Sequence, residues 1–154
     1  MDAGQPTVTS DQVLELLRRW ILVVLVLGLA GTIVELMLLE HYEEPLQYVP
    51  LALIVAGIAA ICWLAGGYGA ASLRVFQILM VLFVLAGFVG FVAHFHGSAE
   101  YQLELNPEMS NWELLEKVLR AKAPPLLAPG IMLVLGLLGL AYVFSDSRYR
   151  RSEK

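Results

Sequence analysis

Four residues of this chain combine reactive side chains with unusual settings: Glu35, His41, His94 and His96. Glu35 sits inside an apolar run, in the string VELMLLEHYEEP. A carboxylate in hydrocarbon costs roughly 2.5–3.5 kcal/mol at a helix centre and less near an end. Such an acid carries a proton, binds a metal, bonds to a neighbouring helix or reaches the membrane interface. Gly28, Gly31 and Thr32 precede it by seven, four and three positions, on its own helical face. Small residues let helices approach closely, so that face is expected to turn into a bundle.

All three histidines fall at the ends of apolar runs. His94 follows Gly90 by four and Gly87 by seven, which puts it on a close-packing face. His96 is about 200° further round, so a continuous helix keeps the two apart. With Glu40, Glu44, Glu100 and Glu104 the imidazoles could supply ligands for a divalent metal. H-x-H at a helix end is not a metal-binding spacing, however, and interfacial imidazoles are the simpler reading. A haem between His41 and His94 ranks lower, because both lie at helix ends rather than deep in a bundle. Depth relates Glu35 to His94. The first is about 24 Å along its helix from Arg19 and the second about 30 Å from Arg74. If both arginines mark one interface, the two side chains differ by about one turn, and one polar pocket is expected to hold both.

The elements that must position these residues are membrane-spanning helices. The chain has 154 residues and is 58% hydrophobic, too apolar for an ordinary soluble domain. Four runs are long enough to cross a hydrocarbon core of about 30 Å: 20–39, 49–65, 75–95 and 126–144. They leave no room for a separate soluble domain, so residues 1–154 form one four-helix domain. Residues 1–10 are expected to be disordered, and Thr9 or Ser10 to cap a helix with Gln12 as capping-box partner. The first run is not expected to be a cleavable signal: some 19 residues precede it and it ends in Glu-His-Tyr. Cys62, the single cysteine, lies within the second run and cannot form an internal disulfide.

The one long connection, residues 96–125, is expected to form an outer loop. Its first part, AEYQLELN, alternates Tyr101, Leu103 and Leu105 with polar residues, a strand-like period ended by Asn106-Pro107. Ser110 and Glu113 then form a capping box opening a short helix, 110–122. Trp112, Leu115, Val118 and Leu119 share a face of it, suited to the membrane surface or to the bundle mouth. Seven of the ten basic residues, Arg18, Arg19, Arg74 and four in the tail 146–154, fall on one side of the expected topology. By the positive-inside rule both termini are cytoplasmic. The expected fold is an all-α integral membrane protein with four transmembrane helices, up-down-up-down, and an extracytoplasmic capping segment between the third and fourth.

The strings VELMLLEHYEEPLQYVPLAL, HFHGSAEYQLEL and LAPGIMLVLGLLGLAY together resemble a group of small, uncharacterised bacterial four-helix inner-membrane proteins. The resemblance implies a bacterial source and a plasma-membrane location, and brings no activity with it. No nucleotide loop, nucleophile elbow, paired-cysteine site or nucleophile–base pairing is visible, so an enzyme is disfavoured and no nucleic-acid partner is expected. The leading expectation is a non-enzymatic membrane protein, an accessory subunit or small homo-oligomer that binds partner helices in the bilayer. The rival is a metal- or proton-handling carrier or small transporter using Glu35 and the His/Glu cluster.

Overall fold

Thr9 starts the first helix as its sequence promises. Its hydroxyl accepts from the Gln12 N–H at 3.4 Å, and the Gln12 side chain accepts from the Thr9 N–H at 3.0 Å. The computed structural model describes residues 9–40, 43, 45–67, 69–120 and 127–145, without the side chains of 127 and 128. The expected disordered terminus is thus described only from Thr9, and the basic tail 146–154 lies outside the described residues.

Among the described residues there are five α-helices: α1 (Ser10–Leu38), α2 (Tyr48–Gly66), α3 (Ala70–Leu105), α4 (Asn111–Leu119) and α5 (Leu127–Phe144). A 3-10 turn, Pro45–Gln47, leads into α2. Among the described residues, three stretches, Ser10–Leu38, Pro45–Gly66 and Ala70–Leu105, are long and apolar enough to cross a membrane. Only 22% of the most apolar window of each is buried within the protein. That much outward-facing hydrocarbon is incompatible with water as the sole solvent and marks a membrane protein. The apolar stretch of α5, Pro129–Phe144, is shorter.

Helices α1, α2, α3 and α5 form a ring in which α3 and α5 pack most extensively and α1 closes against α2 and α5. The shared core includes Leu25, Leu29, Ile54, Phe76, Phe83 and Leu135. One end of the ring is defined by an aromatic cluster. The Arg18 guanidinium lies 4.8 Å over the Tyr142 ring, and Phe76 meets Tyr142 edge-on at 5.9 Å. This basic end therefore gathers the start of α3, the end of α5 and the first third of α1. The α2–α3 turn is held by Ser72, whose hydroxyl accepts from the Gly69 N–H at 3.1 Å and donates toward the Gly69 carbonyl at 3.0 Å.

The expected strand is not formed. Helix α3 runs straight through His96, Gly97 and the alternating segment to Leu105, 36 residues in all. Glu, Gln, Leu and Ala favour helix, and extending a helix already nucleated is easier than starting a strand with nothing to pair with. Asn106 and Pro107 end it. Tyr101, Leu103 and Leu105 are all exposed, so their alternation does not mark a covered face. Helix α4 then folds back onto α3. Ser110 caps it by accepting from the Glu113 N–H at 3.3 Å, while the Glu113 carboxylate pairs with Lys117 at 3.3 Å. It ends at Leu119, short of the expected 122. Of the four apolar residues expected on one face, Val118 is fully buried, whereas Trp112 is 75% exposed.

Candidate functional site

Gly57 of α2 lies against Phe83 of α3, where an added methyl carbon would be 3.4 Å from the ring. Beyond that contact, away from the basic end, the two helices become separate walls of a cavity of about 770 Å³. Pro50 and Leu53 line it from α2, and Thr32 and Leu36 from α1. Pro129 and Met132 of α5 close the back, and the 3-10 turn contributes Leu46 and Gln47. The longest wall is α3, from Leu82 through Ala86, Gly90 and His94 to Tyr101. Leu82, Leu85 and Val89 line it while remaining about half exposed, so the cavity opens sideways between α2 and α3.

Its polarity is graded. Thr32 is the polar residue at the inner end, and its hydroxyl is satisfied by donating to the Gly28 carbonyl at 2.8 Å. The remaining inner lining is aliphatic. At the far end His94, Ser98 and Tyr101 succeed one another at four and three residues along α3, and Gln47 lines the same mouth. The Gln47 side-chain oxygen accepts from the Glu43 N–H at 2.8 Å.

The three described candidates, Glu35, His94 and His96, are not brought together. His94 lines the cavity. His96 is exposed and outside the lining, as an unbroken helix requires. His41 lies outside the described residues, so neither its metal-binding role nor a haem between it and His94 is placed. Glu35 is exposed on the outer surface of α1 and does not line the cavity, so the expected common pocket with His94 is not formed in the single chain. Among the described residues, no three His, Cys, Asp or Glu side chains gather where they could share a metal ion.

The chain matches no protein-family model, no curated protein and no solved structure. Its candidate surfaces are therefore the sideways cavity and the outward face of α1. The cavity left one trace in the sequence: Ala86, Gly90, Ala93 and Gly97 repeat at helical spacing. The same trace also fits tight packing. Gly87, on the neighbouring face, is used that way: a methyl added there would lie 2.9 Å from the Pro129 carbonyl oxygen. Gly97 has nothing within 4 Å.

Proposed function

We propose that this chain is a four-span integral protein of a bacterial plasma membrane that performs no reaction of its own and works by binding other membrane helices, as an accessory subunit or a small homo-oligomer. The observation that carries this reading is the outward placement of Glu35 together with Gly31, one turn before it, which has no atom within 4 Å of an added methyl. Leu27, Val34 and Leu38 flank them and are well exposed. A carboxylate on a lipid-facing surface is costly, and a second helix supplying a donor relieves that cost. The adjacent glycine admits such a helix at close range.

Counting α5 as the fourth span is supported by its 18 residues, about 27 Å of helix. Its tight packing along α3 also supports it. The cytoplasmic placement of both termini rests on the basic residues gathered at the end that holds Arg18 and Arg74.

The test is cysteine cross-linking in membranes, in a Cys62→Ser background. Gly31→Cys is expected to give a disulfide-linked dimer, or a linked partner subunit once that partner carries an engineered cysteine. Thr32→Cys, at a buried position, is expected to give none. Adding Glu35→Leu should weaken the Gly31→Cys product. A chain that stays monomeric in mild detergent, with no cross-link and no copurifying subunit, would overturn the reading.

A further inference from the structure

The cavity is long, following α3 for most of its wall. Its α3 wall runs from Leu82 to Tyr101, about 28 Å at helical rise. A cavity of about 770 Å³ drawn out along that length is an elongated slot and not a rounded pocket. The volume is nevertheless within the roughly 300–1,000 Å³ of ordinary ligand sites. This is a slot for a single extended chain.

Depth tells which chain. From Arg74 at the basic end, Leu82 is about 12 Å along α3, His94 about 30 Å and Tyr101 about 40 Å. In a hydrocarbon core about 30 Å thick, the slot begins near the midplane, passes the opposite boundary at His94 and ends among head groups. It therefore covers one leaflet, aliphatic where acyl chains lie and polar where head groups lie.

Charge restricts the head group. Gln47, Ser98 and Tyr101 offer neutral hydrogen-bonding groups, and His94 adds an imidazole. The described charged residues next to the mouth in the chain are acids: Glu43, whose backbone N–H donates to the Gln47 side chain at 2.8 Å, and Glu104, three residues beyond Tyr101. The described cations of this end, Lys117 and Arg120, are paired with Glu113 and Glu116 on α4. A purely anionic head is disfavoured there, and one bearing an amine is matched.

We infer that the slot between α2 and α3 binds one acyl chain of an amine-bearing zwitterionic phospholipid from the leaflet opposite the basic end, with its head group at Gln47, His94, Ser98 and Tyr101. The inference rests on the membrane-spanning reading and is independent of the partner-helix surface on α1.

The test is photolabelling of the full chain in mixed phosphatidylethanolamine/phosphatidylglycerol vesicles, with a diazirine in the acyl chain of one lipid or the other, mapped by mass spectrometry. The phosphatidylethanolamine probe is expected to concentrate on Leu53, Leu82 and Ala86, above the exposed Val24, Val81 and Leu137, and above the phosphatidylglycerol probe at the same positions. Ala93→Trp should lower slot labelling about tenfold and leave Val81 labelling unchanged. Val89→Trp, at a more exposed lining position, should do the same should Ala93→Trp fail to fold. Equal labelling of slot and outer surface, no effect of either tryptophan, or no preference for phosphatidylethanolamine would overturn the inference. A helix cross-linked to Leu82 in place of lipid would also overturn it. Absence of label from Val24, Val81 and Leu137 with both probes would instead remove the membrane-spanning reading beneath it.

Discussion

Glu35 is separated from the protein interior by about a quarter-turn of helix. The buried residues of α1 are Leu25, Leu29, Thr32 and Leu36, and at about 100° per residue they centre on one direction. Glu35 lies roughly 90° from that direction and Gly31 roughly 130°. Gly28, nearer to it, packs against Leu135. One small-residue face inferred from spacing thus divides into an inner part, Gly28 and Thr32, and an outer part, Gly31 and Glu35. His94 and His96 divide likewise because α3 continues through both. At this scale Ser72 offers the clearest stability test. Its side chain is 1% exposed and bonded within the α2–α3 turn. Removing a cap or a buried hydroxyl partner costs about 1–2 kcal/mol, so Ser72→Ala should lower the thermal midpoint in detergent. An unchanged midpoint would show that the turn does not depend on it.

Among the elements, α3 and α5 meet through glycines that bring backbone against backbone. A methyl added at Gly136 would lie 2.7 Å from the Met80 carbonyl oxygen and 2.9 Å from the Val84 nitrogen. Backbone cannot step aside as a side-chain tip can. Gly136→Ala should therefore force the helices apart and cost about 1–3 kcal/mol, read as a lower thermal midpoint. Gly31→Ala has open space around it and should hold or slightly raise that midpoint, since alanine favours helix by about 0.5–1 kcal/mol. Equal losses at the two positions would contradict the packing. The α3–α4 hairpin is a smaller unit, closed by Val118 and Met109. Truncation of a buried aliphatic side chain leaves a cavity, so Val118→Ala should speed amide exchange in α4 while leaving α1, α2 and α5 unaffected.

For the molecule as a whole, the proposed four-span topology puts the turns before and after α2 on opposite sides of the membrane. Glu43, before α2, and Gly67, after it, are both exposed. In a Cys62→Ser background, Glu43→Cys should react in intact cells with an impermeant thiol reagent, and Gly67→Cys only after the membrane is opened. The reverse pattern would invert the orientation. Reaction of both in intact cells would show that α2 does not span.

The helices, most of their bounds and two of their caps were legible in the sequence, because they depend on local quantities. Thr9 with Gln12 and Ser110 with Glu113 announced two starts, and unbroken apolar runs announced the long helices. The segment after His96 was misjudged because three alternating residues imitate a strand when the length of the helix before them is unknown. Which way each face turns was decided by tertiary packing. A helical residue turns by about 100° per position, so Thr32 and Glu35, three apart and about 60° from each other, can fall on opposite sides of the line between core and lipid. That line is drawn by where α5 sits against α1. The slot is tertiary for the same reason: no residue contains it, and it exists because a cavity opens along α3 beyond the contact of Gly57 with Phe83.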